Sequence, residues 1–179
     1  MDTYSVTVNV VIDANIYYRF YKFEKFTRTH GLIKLVFFAS FMSALACLSL
    51  VRSEIFLGVT LLVIGLGLPA INVWNFFRTI KIHVNAIGSD SEIPVYSLKF
   101  YDSPDGIEVT NHGEGDEPLH YEWDTIHAVY RVDDCIYFYV LPNKAFLLPD
   151  GQALEGTEAL WDIIVKMVQS EKIRDKRKK

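Results

Sequence analysis

Two long apolar runs, separated by only three residues, constrain this chain more than any other feature of its sequence. Residues 32–51 carry a single charge, Lys34, and residues 55–73 carry none. Twenty residues of α-helix span about 30 Å, which is the thickness of a bilayer's hydrocarbon core. The runs therefore predict a two-helix transmembrane hairpin within residues 31–77. A helical hairpin buried in a soluble core is the alternative, and it is disfavoured because adjacent uncharged runs of this length are rare in such cores.

The basic residues around the runs predict the orientation of the hairpin. They are Arg19, Lys22, Lys25, Arg28 and Lys34 before or at the start of the first run, Arg52 between the runs, and Arg78 and Lys81 after the second. By the positive-inside rule, both termini lie in the cytoplasm of a multi-pass protein of the cell membrane. The expected membrane anchors are the interfacial bases and aromatics, namely Lys34, Arg52, Trp74, Phe77 and Arg78.

Small residues recur within both runs at spacings that allow helices to approach closely. They are Ala39, Ser40, Ser43 and Ala44 in the first run and Gly58, Gly65 and Gly67 in the second. We favour packing within one hairpin, and a homo-oligomer formed through these residues is the alternative. Gly65, Gly67 and Pro69 should also weaken or kink the second helix.

Residues 1–30 predict a strand followed by an amphipathic helix. Residues 4–12 read as a strand, largely alternating between apolar and polar, and Asp13 is a suitable helix N-cap. Residues 16–26 then mix aromatics with bases at helical spacing. This segment fits an interfacial helix that leads into the first span, and it equally fits aromatics that pack on the cytoplasmic domain; both interpretations stay open.

Residues 88–170 predict a small cytoplasmic β-rich domain. Short strands separated by turns, such as the turn at residues 103–106, are typical of a sandwich or a partly open barrel. A helix with Thr157 as its expected N-cap follows. The predicted fold is thus a membrane α-helical hairpin plus an α+β cytoplasmic domain, a pleckstrin-homology-like antiparallel β-barrel or sandwich capped by a C-terminal helix. Its expected core includes Trp123, which lies in a strand-like run, together with Ile126, Phe138 and Trp161.

The net charge of −4 conceals an uneven distribution of charge along the chain. Residues 1–87 carry a balance of +4, residues 88–165 a balance of −13 and residues 166–179 a balance of +5. The acidic domain suits a basic protein partner, and we expect it to bind neither phosphoinositides nor nucleic acid. The basic tail, residues 171–179, is expected to be a solvated end that can also touch anionic lipid.

No motif supports catalysis, and neither a cofactor nor a metal site is predicted. The chain has no His-Glu-x-x-His, no phosphate-binding Gly-rich loop and no Gly-x-Ser-x-Gly. His112, His120 and His127 match no metal-binding spacing, and Cys47 and Cys135 have no framework spacing. We therefore expect that the chain is not an enzyme.

Four local patterns resemble the YcxB-like family of bacterial membrane proteins. They are Asp-Gly-Ile at residues 105–107, Tyr-Glu-Trp-Asp-Thr-Ile at 121–126, Ile-Tyr-Phe-Tyr-Val at 136–140 and Ala-Phe-Leu-Leu-Pro at 145–149. Together with the preceding strand, helix and tight hairpin, the resemblance covers most of the chain. Asp150 departs from it, since a basic residue is expected there. The resemblance implies a pleckstrin-homology-like C-terminal domain and no established biochemical function.

Three roles are consistent with these features. The first is a membrane-anchored interaction or scaffold module that binds a protein partner through its acidic β-rich domain. The alternative is a small accessory subunit of a transporter or envelope complex that acts through its transmembrane helices. An enzyme is the weakest of the three.

Overall fold

The computed structural model describes most of the chain, namely residues 4–87, 96–104, 106–111 and 117–177. The chain divides into two compact units. Tyr17–Ile87 form the helical unit, and Met1–Ile16 together with Gly88–Lys179 form the β domain. The expected features at Asp105 and His112 lie outside the described residues, as does the expected start of the domain at residue 88.

The helical part of the chain consists of three α-helices and one short π-helix. They are α1 (Ala14–Lys22), the π-helix (Phe23–Arg28), α2 (Gly31–Val51) and α3 (Ile55–Ile87). Asp13 caps α1 as expected, because its Oδ1 accepts a hydrogen bond of 2.6 Å from the backbone N–H of Ile16. At the start of α2, a Cβ on Gly31 would lie 2.3 Å from the carbonyl oxygen of Lys25, so this close approach requires glycine.

The two apolar runs form a helical hairpin. By length and composition, Gly31–Val51 and Ile55–Val84 can each cross a membrane, with mean hydropathies of 2.0 and 2.1. The second helix is longer than the expected span of 55–73, because no helix-breaking residue follows Pro69 before the end of α3. The 33 residues of α3 correspond to about 50 Å of helix, which exceeds the thickness of the hydrocarbon core.

Small residues lie at the contact between α2 and α3. A Cβ on Gly58 would lie 2.6 Å from Cγ of Leu50, and one on Gly65 would lie 2.5 Å from Cβ of Met42. A Cβ on Gly67, in contrast, would meet only open space. Close packing within one hairpin therefore depends on two of the three glycines, and α3 continues as a helix through Pro69.

The first sheet of the β domain combines one strand that precedes the helical unit in the sequence with three that follow it. It contains β1 (Ser5–Val10), β2 (Tyr96–Tyr101), β3 (Ile107–Asn111) and β4 (Leu119–Tyr121), in that order and all antiparallel. Val10 pairs with Tyr96, so the chain leaves and re-enters the sheet at neighbouring positions. The expected N-terminal segment 1–30 is therefore divided, and its strand belongs to the β domain.

The second sheet includes the end of the chain. It contains β5 (Ala128–Val132), β6 (Cys135–Leu141), β7 (Lys144–Pro149) and β8 (Ile173–Asp175), in the order β7-β6-β5-β8. Only the β5–β8 pair is parallel. The segment expected to be a solvated tail, residues 171–179, thus extends the sheet in part, because residues 173–175 pair with β5. Residues 178 and 179 lie outside the described part.

Helix α4 (Thr157–Met167) packs on the core between the two sheets. The expected N-cap is wrong by one residue. Gly156, with φ of 95°, is the N-cap, because the Thr157 hydroxyl is already engaged and accepts a hydrogen bond of 2.9 Å from the backbone N–H of Gly151. Leu160 and Ile164 on the inner face of α4 are fully buried.

The core of the β domain contains the expected residues, one of them in an unexpected element. Ile126 and Phe138 are fully buried and Trp123 nearly so, whereas Trp161 is half-buried at the edge of the core. Trp123 lies in a 3₁₀ helix (Trp123–Thr125) and not in a strand. Its indole Nε1 donates a hydrogen bond of 3.1 Å to the carbonyl oxygen of Ser103, which satisfies the polar atom of a buried ring.

Strand β6 is buried on both of its faces. Phe138 packs in the core between the sheets, while Tyr137 and Tyr139 point to the opposite face and expose only 2% and 1% of their surface. The Tyr139 ring packs edge-on against Tyr130 at a centroid distance of 5.6 Å. These tyrosines therefore serve packing.

The pairing of β1 with β2 leads to a testable prediction about domain independence. Replacing residues 13–94 by a short turn that contains Asn-Gly should join β1 to β2 as an ordinary hairpin. We expect this shortened chain to remain in solution without detergent and to unfold cooperatively in urea, as followed by circular dichroism.

A matched control removes residues 1–12 as well as 13–94. Val6, Val8 and Val10 are fully buried in the core, so this second protein should fail to fold. Cooperative unfolding with the same midpoint in both proteins would show that β1 is not an integral part of the domain.

Candidate functional site

The outer surface of the helical hairpin is apolar and exposed. In an apolar stretch of 18 residues in each helix, only 6% of the α2 stretch and 11% of the α3 stretch is buried. Phe37, Val51 and Phe56 expose 74%, 84% and 87% of their surface. A core helix of a soluble protein buries most of its apolar side chains, and soluble monomers rarely expose so large an apolar area. These helices therefore have the surface of candidate membrane spans.

The five expected anchor residues lie at the two ends of this hairpin. Trp74, Phe77 and the first turn of α2 line a common groove, so Lys34 and Arg78 lie at the same end as these aromatics. Trp74 is 73% exposed and Phe77 39%. Arg52 lies at the opposite end, in the turn between α2 and α3. The arrangement agrees with the distribution of bases along the sequence.

Aromatic side chains of the π-helix pack on α3 at the end of the hairpin that carries Trp74. The ring centroid of Phe26 lies 5.1 Å from that of Phe76 and 6.1 Å from that of Phe77. Nζ of Lys25 lies 5.8 Å from the centroid of the Phe76 ring. Part of the segment expected to lie in the interface or on the β domain thus contributes to the helical unit itself.

A small pocket lies between α1 and the second half of α3. Its volume is about 190 Å³, and Tyr17, Tyr21, Phe76, Ile80 and His83 are among its lining residues. The hydroxyl of Tyr17 donates a hydrogen bond of 2.9 Å to that of Tyr21. Burial raises the pKa of Tyr17 to about 12. The lining is mainly aromatic and aliphatic, so the pocket can hold an apolar group.

A larger groove separates α2 from α3 at the same end of the hairpin. Its volume is about 630 Å³ and all of its lining side chains are apolar. Small residues, including Ala39 and Ala70, leave this space between larger side chains. The groove has the character of a site for a hydrocarbon chain and not of a polar active site.

A buried arginine is the most unusual polar group of the β domain. Arg131, on β5, is 2% exposed and pairs with both carboxylate oxygens of Glu158 at 2.6 and 3.4 Å. Its guanidinium carbon lies 5.1 Å from the centroid of the Trp161 ring. The Nε of Arg131 has no hydrogen-bond partner among the described residues. This cluster joins the end of β5 to the first turn of α4.

Asp150 belongs to the same charged cluster. Partial desolvation raises the pKa of its carboxyl group, while Arg131 acts in the opposite direction and Glu158 adds to the increase. Asp150 is also the position at which the sequence departs from the YcxB-like pattern. An acid at this position is consistent with the buried positive charge of Arg131 nearby.

The C-terminal strand forms a second polar contact with β5. The backbone N–H of Lys176 donates a hydrogen bond of 2.7 Å to the carbonyl oxygen of Arg131. Nζ of Lys172 donates one of 2.9 Å to the carbonyl oxygen of Asp124. The guanidinium of Arg174 lies 5.7 Å from the centroid of the Tyr130 ring. A basic, extended segment thus occupies the edge of an acidic domain.

The described residues contain no convergent metal ligands. No group of three His, Cys, Asp or Glu side chains within them could hold a metal ion. His120 and His127 are exposed, Cys135 is buried, and Cys47 is exposed on α2.

Comparisons with known proteins find no match to this chain, whether against family models, curated proteins or solved structures.

Sequence reasoning missed the Arg131 cluster and the partner of β8. Arg131 is one of only three bases among the many acids of residues 88–165, and it follows three apolar residues in a strand. A lone base within an apolar strand is a usable signal for a buried ion pair. No comparable signal in the sequence indicates that β8 pairs with β5.

The geometry of this ion pair predicts an asymmetry between its two partners. Glu158→Gln leaves the buried guanidinium without its carboxylate and should destabilise the β domain. We expect about 1–3 kcal/mol, less than for a fully buried pair, since the Glu158 side chain is 74% exposed. Arg131→Met removes the buried charge at similar volume and should cost less than Glu158→Gln.

Urea unfolding of the shortened, hairpin-free chain measures both free energies. Glu171→Gln, an exposed acid in the 3₁₀ helix Ser170–Lys172, is the control and should change stability little. If Arg131→Met lowered the free energy of unfolding more than Glu158→Gln does, the buried arginine would not be the source of the desolvation cost.

Proposed function

We propose that this protein is a membrane-anchored interaction module. The observation that carries the proposal is the insertion of an apolar helical hairpin into the β domain, between the paired strands β1 and β2. Because the chain enters and leaves the hairpin at adjacent positions of one sheet, a hairpin that crosses a bilayer returns to the side from which it started. Such an insertion ties the domain to the membrane through two connections.

The distribution of charge supports a cytoplasmic position for the β domain in this proposal. Arg78 and Lys34 lie at the end of the hairpin that connects to the β domain, whereas Arg52 alone lies in the opposite turn. The positive-inside rule then places both termini in the cytoplasm of a cell that carries the protein in its cell membrane.

The proposed partner is a protein with a basic, extended segment. Residues 88–165 carry a balance of −13, and the chain's own basic strand β8 is held on the edge of β5. A basic segment of a partner that displaces β8 would gain the backbone hydrogen bonds of strand addition at this edge, and opposite charge would speed its association with the acidic surface. The same charge disfavours phosphoinositides and nucleic acid, which are not ligands in this proposal.

We also assign the chain to the YcxB-like family and its β domain to the pleckstrin-homology-like folds. The support is an antiparallel four-stranded sheet, a second sheet built on β5, β6 and β7, and a helix after the last of these strands. In this assignment the protein is not an enzyme and binds no cofactor, since no catalytic motif occurs in its sequence.

Membrane topology is the first test of the proposal. Reporter fusions at Met1 and Lys179 should read as cytoplasmic, and an insertion at Ser53 should read as external, since the basic flanks lie on the terminal side. A control fusion after Ser97, which lies in β2, should also read as cytoplasmic. An external signal at either terminus would exclude this topology.

The edge of β5 is tested as a docking site with the chain's own basic segment, residues 170–179. A chain that ends at Gln169 lacks β8, so a labelled peptide of residues 170–179 added to it should bind at the vacated edge of β5. The intact chain should not bind this peptide. Arg174→Ala in the peptide removes the contact with Tyr130 and should weaken binding about 2- to 5-fold, as measured by fluorescence anisotropy.

Two controls define the outcome of the peptide experiment. A peptide of the same composition in scrambled order separates strand pairing from charge alone, and increasing salt should weaken both through screening. Equal binding of both peptides, or equal binding to the intact and truncated chains, would contradict a docking site at this edge.

The alternative role as an accessory subunit predicts that partner binding requires the two apolar helices. In that case a membrane partner is retained by the full chain and lost from the hairpin-free β domain. Under the proposal made above, the hairpin-free domain keeps the partner. Homo-oligomerisation through small residues would add to either role, and among Gly58, Gly65 and Gly67 it is Gly67 that faces open space.

A further inference from the structure

The groove between α2 and α3 extends over most of the depth of one leaflet. On α3 it extends from Pro69 to Phe77, and on α2 from Leu32 to Ala39. At 1.5 Å per residue these segments are about 12 Å and about 10 Å long. Half of the hydrocarbon core is about 15 Å thick. A groove that starts at the end of the span and runs along the helices for this length follows the course of an acyl chain within one leaflet.

Two basic side chains continue the groove beyond its apolar part. Arg78 follows Trp74 by four residues and Lys81 follows Phe77 by four, so each base lies one helical turn above an aromatic residue of the groove wall. Arg78 and Lys81 are exposed. Neither forms an ion pair or hydrogen bond with the residues that the structure describes. The apolar groove therefore ends at two cations that have no counterion within that part of the chain.

Charge complementarity identifies the occupant of this groove. An acyl chain matches the apolar walls, and an anionic headgroup matches the two bases at their end. A second copy of the hairpin fits less well. Copies inserted with the same topology and related by a two-fold axis would bring their own Arg78 and Lys81 side chains together, which is unfavourable. A lipid with a neutral headgroup would leave both bases without a net counter-charge.

We infer that this groove is a binding site for one anionic phospholipid, with the headgroup at Arg78 and Lys81 and an acyl chain between α2 and α3. This inference rests on the proposed membrane anchorage, since a groove in a soluble protein would meet no lipid. It goes beyond that anchorage because it assigns a selective site, whereas any membrane span meets lipid non-selectively. Trp74 forms part of the groove wall and is therefore a built-in reporter of the bound chain.

Fluorescence quenching tests the site in the full chain reconstituted into phosphatidylcholine vesicles. A small fraction of the lipid is replaced by phosphatidylglycerol or phosphatidylcholine with a brominated acyl chain, which quenches tryptophan only at short range. The signal of Trp74 is obtained by subtraction of the Trp74→Phe protein, which retains Trp123 and Trp161. We expect brominated phosphatidylglycerol to compete for the site about 5- to 30-fold better than brominated phosphatidylcholine.

Matched variants assign the preference to the groove. Arg78→Gln with Lys81→Gln should abolish the preference, whereas Lys22→Gln with Lys34→Gln removes as many charges and should retain it. Lys34 lies on the face of α2 away from Leu32, Val36 and Ala39 by helical periodicity. Ala70→Leu narrows the groove and should reduce quenching by either brominated lipid.

Different failures have different meanings in this experiment. If the protein does not float with the vesicles, both the membrane anchorage and the lipid site are wrong. If it inserts but both brominated lipids quench equally, or if the preference survives Arg78→Gln with Lys81→Gln, only the lipid site is wrong. Loss of quenching as the protein-to-lipid ratio rises would show a second copy in the groove and would overturn the inference as well.

Discussion

The antiparallel pairing of β1 with β2 is the interaction on which the rest of this structure depends. It joins a strand that precedes the helical unit in the sequence to one that follows it, with Val10 opposite Tyr96. The inward side chains of β1, Val6, Val8 and Val10, are completely buried. The β domain cannot complete its core without a strand that precedes the hairpin. The hairpin, in turn, has both of its ends connected to adjacent strands. If the chain crosses a membrane between β1 and β2, it must therefore cross an even number of times.

Charge is distributed so that it supports this arrangement in both units. The hairpin carries its bases mainly at the end that connects to the β domain, and its apolar surface has no charge within the second run. The β domain is acidic but buries one arginine, Arg131, beneath α4 with Glu158 as its partner. Retaining a buried ion pair costs desolvation, which an apolar pair would avoid. The pair also has a direction, because the guanidinium is held by Glu158 in the first turn of α4 and by the ring of Trp161 one turn later, and both contacts orient the helix on the sheet.

Features that depend on local physics could be predicted from the sequence, and features that depend on long-range pairing could not. The two long apolar helices followed from length and hydropathy, the capping of α1 by Asp13 from its residue type, and the burial of Phe138 from its apolar strand. The pairing of β1 with β2 and of β8 with β5 leaves no local signature, because β-strand partners are selected by tertiary contacts. Trp123 was placed correctly in the core but in the wrong element, since a 3₁₀ turn buries an indole as well as a strand does.

The insertion also makes folding of the β domain depend on a strand pair that is distant in the sequence. During synthesis β1 emerges before the spans, and β2 emerges only after α3, so the buried face of β1 has no partner until the hairpin is complete. Non-local strand pairs form late, because the loop-closure entropy must be overcome before their contacts stabilise the chain. A hairpin with antiparallel helices reduces this cost, since it brings the start of α2 and the second half of α3 to one end of the hairpin. The close contacts at Gly58 and Gly65, where α2 packs against α3, therefore lie within the loop that the pairing of β1 with β2 must close.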